Sequence, residues 1–374
     1  MLICCLLWQG LSMPDPRHRR PNYVEIDSES VARRVAALRR RVGRRVRVFA
    51  ALKADGYGFG TLPMAQAALN GGADALALID RAEAMILREA GIDLPILLYA
   101  GAPIDAEAVA AAESQRLILT VLSERQIEFI ALHARAPVEL AIKLEVGAER
   151  IGVLADELLA MAQLIAKQRM LSLEVVNAHP TFGDDAPDSV VKAQFEQFTE
   201  AVGRLQAAGL SLPTRLFASS KTLARTAGME LDAIDPGQFL FADTSERPII
   251  RSLRTVLTQV RRVTRDFAPE YAPFDLAKVR RVGVMPFGRV DGGGRCHADE
   301  VLVRGRRAPI LGAPSLEYMR IDLTAIDDAD EGDEVVLIGR QGAAQIGLAE
   351  VCSARAATPS DIAMALGPAV VRQY

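Results

Sequence analysis

Val48-Phe49-Ala50-Ala51-Leu52-Lys53-Ala54-Asp55-Gly56-Tyr57-Gly58-Phe59-Gly60 decides how the chain is read. The apolar run describes a strand buried on both faces, and it stops at a lysine followed by a glycine-rich turn and a helix-like segment. Lys53 therefore sits where a parallel strand opens into its loop, the end of an α/β fold at which ligands bind. Lysine is costly to bury unless it is paired or covalently used, so Lys53 is either a solvated strand-end residue or a functional one.

Outward from this stretch, residues 21–245 alternate short apolar runs with helical ones. The candidate strands are Val46–Leu52, Asp74–Ile79, Pro95–Ala100, Arg116–Val121, Val138–Leu144, Leu173–Ala178, Thr214–Ala218 and Leu231–Ile234. Between them lie Ala-, Leu- and Glu-rich segments with helical spacing, such as Arg81–Ala90 and Asp156–Lys167. Eight β/α repeats are the count of a TIM-type barrel, whose active site lies at the C-terminal ends of its strands. A doubly wound open sheet gives the same local pattern. In the barrel, Lys53, Lys143, His179, Ser219 with Ser220, and Asp235 before Pro236-Gly237 face one mouth. A lone histidine is more often structural than catalytic, and His18, His133 and His297 receive only that structural reading.

Lys53-Ala54-Asp55-Gly56-Tyr57-Gly58-Phe59-Gly60 resembles the cofactor-lysine motif of the alanine racemase family, fold-type III pyridoxal-phosphate enzymes. The resemblance implies that Lys53 forms a Schiff base with pyridoxal 5′-phosphate and that Tyr57 contacts the cofactor phosphate. Such a lysine must lose a proton to act as a nucleophile, which a desolvated strand end favours. Ile142-Lys143-Leu144-Glu145-Val146-Gly147-Ala148-Glu149-Arg150-Ile151-Gly152-Val153 is similar to the family segment whose lysine is often carbamylated and whose arginine lies seven residues later, which implies a place near substrate for Lys143 and near cofactor and substrate for Arg150. His179 matches the family's active-site histidine, and Ser220 matches its phosphate-binding serine. Gly237 and Gln238 match the positions whose backbone amides hold the phosphate, a task for oriented N–H donors. The terminal Ala365–Tyr374 resembles the family's ending, where the last tyrosine, here Tyr374, approaches the phosphate.

After about residue 245 the rhythm changes. Val279–Met285, Glu300–Val303, Tyr318–Leu323 and Glu334–Ile338 read as short strands between Gly, Pro and Asp turns, a mostly-β domain over 246–374. The resemblance covers Pro21 to Tyr374 and implies a head-to-tail homodimer with shared active sites and an amino acid as substrate.

Three departures qualify it. The family's Pro-x-Gly-Tyr-x-Asp-Gly is here Pro286-Phe287-Gly288-Arg289-Val290-Asp291-Gly292, so arginine stands where the tyrosine base of the second face belongs. Arginine effectively never deprotonates. At the eighth strand the family has an arginine directed at the cofactor's pyridine nitrogen, and this chain has Asp235. A carboxylate there favours the protonated ring and a stronger electron sink. In Ser315-Leu316-Glu317-Tyr318 the family more often has Met-Asp after the serine, where backbone binds the substrate carboxylate; Leu316 and Tyr318 are candidate substrate contacts.

Three functions follow as expectations. The first is a racemase interconverting L- and D-alanine through Lys53, with His179 at the site and another group, such as Tyr318, as second base. The second is a one-base aldolase, decarboxylase or eliminase, in which Arg289 binds a carboxylate or another anion through its fixed fork of donors. The third is a non-catalytic carrier of pyridoxal phosphate.

Composition excludes other classes. Of 374 residues half are hydrophobic and the formal charge is −3, which suits a two-domain globular chain and gives no footprint for nucleic acid. Arg39-Arg40-Arg41 falls within a helical pattern and reads as a solvated face. Cys4, Cys5, Cys296 and Cys352 have neither zinc nor disulfide spacing, so no metal is expected and a reducing, cytoplasmic setting fits. Met1–Trp8 is apolar but too short to span a membrane and lacks preceding basic residues. Residues 1–20 are read as an extension, disordered or preceding a true start at Met13.

Overall fold

The computed structural model describes residues 20–101, 103–180, 187–220, 222, 228–242, 247–263, 274–275 and 278–374, without the side chain of Ser219. The extension before Arg20, with Cys4, Cys5, Met13 and His18, lies outside the described residues. The chain forms two compact units: Ser28–Ala242, and a second made from the segment before Ser28 and the segment after Ala242.

Strands are numbered along the chain, and β1 (Tyr23–Ile26) belongs to the second unit. The first unit is a closed parallel barrel of β2 (Arg47–Ala51), β3 (Ala75–Leu78), β4 (Ile96–Leu98), β5 (Leu117–Val121), β6 (Val138–Leu144), β7 (Leu171–Ala178), β8 (Thr214–Ser219) and β9 (Ala233–Asp235). β9 pairs with β2, Arg47 opposite Ala233, which closes the ring and removes the open-sheet alternative. Helices cover the outside, and their buried stripes match the sequence pattern: Val31, Val35 and Leu38 on Ser28–Val42, and Ala84 and Leu87 on Arg81–Glu89. Asp80, Asp105 and Ser123 cap three of these helices through side-chain oxygens that accept from Ala82, Ala108 and Gln126 N–H.

Inside the barrel, Phe49, Ala51, Ala75, Ala77, Leu97, Ile118, Ala141, Val175, Leu216 and Ala233 pack with Tyr99. Because successive strand residues alternate faces, the next inward positions toward the C-terminal ends include Lys143, Asn177 and Asp235. An apolar barrel core is thus roofed by a polar layer.

The second unit has a seven-stranded and a three-stranded sheet. The larger runs β14 (Arg306–Pro309), β13 (Glu300–Val303), β16 (Glu334–Gln341), β10 (Ile250–Val256), β1 and β18 (Val371–Gln373), with β17 (Ala344–Ile346) hung on β16. The smaller is β11 (Gln259–Arg262), β12 (Arg281–Met285) and β15 (Met319–Asp322). Two departures from the sequence reading stand out. β1, counted there with the barrel segment 21–245, pairs antiparallel with β10 and parallel with β18. Helices Leu348–Arg355 and Pro359–Ala365 fall where no element was read, within a unit that is mostly β as expected.

Arg20, placed by the sequence reading in the extension, is part of this unit. It donates to both oxygens of the fully buried Asp291, at 3.1 and 2.8 Å, and to the carbonyls of Pro286 and Glu317. Asn22 Nδ2 and the Gly288 N–H complete the shell of Asp291, at 3.0 and 2.8 Å. The Pro286–Gly292 motif is therefore shaped by one buried carboxylate. Arg20→Ala should lower the unfolding free energy by about 2 kcal/mol, the scale of hydrogen bonds to a charged group. Urea denaturation measures it, and a change within about 0.5 kcal/mol, ordinary for a surface site, would contradict the assignment.

Candidate active site

The turn after β2 presents the first candidate side chains. Ala54, Asp55, Gly56 and Tyr57 all have φ between 52 and 58°, a left-handed run that L-residues adopt only when held. It is held by Glu83 Oε1, which accepts from Asp55 N–H at 2.7 Å, and by Asp55 Oδ1, which accepts from Thr61 N–H at 2.9 Å. Gly58 and Gly60 N–H donate to the carbonyls of Ala54 and Asp55. Lys53 and Tyr57 are projected from the two ends of this strained turn.

Lys53 Nζ lies 4.3 Å from the centre of the Tyr99 ring. Burial pushes the lysine pKa down, Asp235 opposes that, and Arg150 adds to it. Lys143 is pushed down as well, by burial first and then by Lys53 and Arg150. Asp235 is the carboxylate of this layer. Tyr99 Oη donates to its Oδ2 at 2.7 Å, while Oδ1 is buried without a hydrogen-bond partner among the described residues. Burial raises its pKa to about 6, against the Tyr99 hydrogen bond, Lys53 and Lys143. Asn177, opposite Lys143 in register, likewise has a buried Oδ1 with no partner there.

Beside this layer is a cradle of donors. Ser220 Oγ accepts from the N–H groups of Gly237 and Phe239, at 2.9 and 3.2 Å, which leaves its O–H as a donor. A Cβ at Gly237 would stand 2.3 Å from Tyr57 Oη, so only glycine lets the tyrosine hydroxyl lie against this backbone. Gln238 opens the short helix Gln238–Phe241, and the Tyr57 ring packs on Phe241 at 5.0 Å. Burial and Asp235 push the Tyr57 hydroxyl up to about 12, which keeps it a donor at neutral pH.

The barrel unit thus brings together Lys53, Tyr57, Lys143, Ser220, Asp235 and Gly237, with Gln238 next to Gly237. His179 follows β7 and Arg150 is exposed in the loop after β6. In the second unit, Arg289 N–H donates to Ser315 O and Val290 N–H to Leu316 O, both at 3.0 Å, so the arginine motif and the Leu316–Tyr318 stretch share one surface. Arg289, Leu316 and Tyr318 are exposed there, as is Tyr374 after β18. His133 Nδ1–H donates to Phe129 O at 2.8 Å and His297 Nε2 accepts from Gly294 N–H, so both histidines are held by backbone. No described helix is long and apolar enough to cross a membrane.

Sequence reasoning missed Tyr99 and Asn177. Each follows an inward aliphatic residue by two positions, Leu97 and Val175, so a period-2 count would have aimed both at the mouth.

The layer's chemistry has a consequence for stability. The folded protein holds the Asp235 proton more tightly than the unfolded chain, whose carboxyl titrates near 3.8, so ionisation of Asp235 costs stability. That cost is absent below pH 4, grows between pH 4 and 6 and is complete above 6. Asp235→Asn apo-protein should therefore gain roughly 2–3 kcal/mol relative to the unsubstituted protein between pH 4 and 7. Urea unfolding at both pH values tests this; parallel profiles would contradict it.

Comparison with known proteins adds independent findings. Residues 26–245 match the family model for the alanine racemase N-terminal domain, and residues 250–374 match that for the alanine racemase C-terminal domain. The chain is 29% identical over 341 residues to an alanine racemase of Nostoc sp., covering 87% of this chain and 88% of that one. It is 30% identical over 376 residues to an alanine racemase of Desulfosudis oleivorans, covering 94% and 96%. The crystal structure of alanine racemase from Bacillus anthracis with bound L-Ala-P superposes with a TM-score of 0.81 at 26% identity over 94% of each chain.

Proposed function

The chain belongs to the alanine racemase family, and from that premise we propose that it is a pyridoxal-phosphate-dependent racemase that interconverts L- and D-alanine. The observation that carries the reading is Lys53: a half-buried lysine at the barrel mouth, its pKa lowered by desolvation, beside the buried carboxylate of Asp235 and the Ser220 hydroxyl. The residues present fit the cofactor. Asp235 Oδ1 is a buried acceptor with no donor among the described residues, which a protonated pyridine nitrogen would supply.

When bound through Lys53, pyridoxal phosphate supplies the electron sink that acidifies the substrate Cα proton. Ser220 O–H, Tyr57 O–H and the Gln238 N–H would hold the phosphate, while the Gly237 N–H, donating to Ser220 Oγ, fixes that hydroxyl in place. Lys53 takes or returns the proton on one face, and its lowered pKa makes the neutral amine accessible nearer physiological pH. Lys143 and Arg150 supply positive charge for the substrate carboxylate, and His179 is a further cofactor contact. Leu316 and Tyr318 belong to the substrate-binding surface, and the assembly is a homodimer, for which a monomer by light scattering would be the contrary result.

The test is chiral chromatography of L-alanine incubated with pure, cofactor-loaded protein. Appearance of D-alanine supports the reading; unchanged stereochemistry at high enzyme concentration refutes it. Arg289 at the tyrosine position and Asp235 at the ring favour a second reading, a one-base enzyme acting on another amino acid with Arg289 binding an anion. Combined Asp235→Arg and Arg289→Tyr would then gain racemisation, whereas a loss of all activity would speak against that reading.

A further inference from the structure

Asp235 and Lys53 are tied by one side chain that the function above does not use. Tyr99 follows β4, is almost wholly buried and packs with Phe49, Ala51, Leu97 and Ile118. Its hydroxyl donates to Asp235 Oδ2 at 2.7 Å, and its ring face lies 4.3 Å from Lys53 Nζ. The other carboxylate oxygen, Oδ1, is buried and has no partner among the described residues. A carboxylate held by one oxygen cannot turn without breaking that bond, so Tyr99 selects which oxygen is presented.

We propose that Tyr99 is a positioning residue: it locks Asp235 with Oδ2 engaged and Oδ1 presented to the ring nitrogen of pyridoxal phosphate, while its ring supports the Lys53 amine. The inference rests on the cofactor reading given above. Its geometry also serves the charge state. Among the described residues the groups that face Asp235 are Tyr99, Lys53, Lys143 and Tyr57, and burial drives its pKa up to about 6. The Tyr99 hydrogen bond is the largest influence holding it down, ahead of both lysines. Arg150 acts on both lysines. The same bond that orients Asp235 thus keeps it ionised near neutrality, as an acceptor for a protonated ring requires.

Tyr99→Phe removes the O–H and keeps the ring, so packing and the Lys53 contact persist. Two ligands separate positioning from general support: pyridoxal phosphate and its 1-deaza analogue, in which C–H replaces the ring nitrogen. With apo-protein, Tyr99→Phe should weaken pyridoxal phosphate about 10-fold or more, as loss of a hydrogen bond to a charged group implies, and leave the analogue's affinity unchanged. Carbon NMR of Asp-labelled apo-protein should show the Asp235 titration moving up by about one to two pH units in Tyr99→Phe. In an Asp235→Asn background the same substitution should change pyridoxal phosphate affinity less than about 2-fold, a non-additivity expected only if Tyr99 acts through Asp235.

Equal weakening of both ligands, an additive double variant or an unmoved titration would overturn the inference while leaving the cofactor reading intact. Failure of the unsubstituted protein to bind pyridoxal phosphate would overturn both.

Discussion

Lys53→Ala is expected to lower alanine racemisation by roughly 10⁴-fold or more, because in the proposed function it removes both the covalent anchor of the cofactor and the acid/base group of one face. The fold should survive. Lys53 ends a strand whose preceding residues, Val48 to Leu52, are fully or almost fully buried, and the left-handed turn after it is held by Glu83, Asp55 and Thr61. Removing a desolvated amine next to Lys143 also relieves like-charge repulsion. The expected result is therefore an inactive protein with unchanged circular dichroism, no visible absorbance from a lysine-linked cofactor and partial rescue by added methylamine. Racemisation within 10-fold of the unsubstituted enzyme would place the reacting amine elsewhere, with Lys143 the next group to examine.

Gly237→Ala carries the second largest effect. The new methyl would stand 2.3 Å from Tyr57 Oη and 3.6 Å from Ala51 Cβ, and the ring of Tyr57 is backed by Phe241. Either Tyr57 swings out or the 237–239 backbone retreats from Ser220 Oγ, and each opens the cradle by about an ångström. A hydrogen bond to a charged group is worth about 1.5–3 kcal/mol, so losing one from the phosphate costs up to about 10²-fold. Pyridoxal phosphate affinity should fall by that factor, with turnover of the saturated enzyme less affected. Adding Tyr57→Phe removes the obstructing oxygen, so the double variant should bind better than Gly237→Ala alone. Additive losses would show that the glycine serves something other than contact with Tyr57.

The barrel could be read from the sequence because its strands are buried on both faces. The run expected at Val46–Leu52 is observed at Arg47–Ala51, and Val138–Leu144 is observed unchanged. β7 begins two residues earlier than read, at Leu171, because Ser172 and Glu174 interrupt the apolar pattern. The closure of β9 on β2 is a long-range fact that local pattern does not encode, and only the strand count pointed to it.

The site was legible where a residue type carried its own chemistry. Lys53 and Asp235 announced themselves as charges at strand ends. Tyr99 did not, since an aromatic at the end of Ile96-Leu97-Leu98 looks like core until its partner, 136 positions along the chain, is in place. The left-handed turn was hidden for a similar reason: Gly56, Gly58 and Gly60 signal it, but Ala54, Asp55 and Tyr57 adopt it only because Glu83 and Thr61 hold it. β1 was assigned to the barrel because four alternating residues fit either unit, and its pairing with β10 and β18 is decided more than two hundred residues downstream. The helix Leu348–Arg355 has almost no amphipathic pattern to read.

The account stands on whether Lys53 and a second group serve opposite faces of the substrate although Arg289 occupies the tyrosine position. Proton NMR of the cofactor-loaded protein with L-alanine in heavy water, followed by chiral analysis of the same sample, tests this most directly. The account predicts exchange of the Cα proton together with the appearance of D-alanine. Exchange with full retention of configuration would contradict it, leaving Lys53 as the single base of a different reaction.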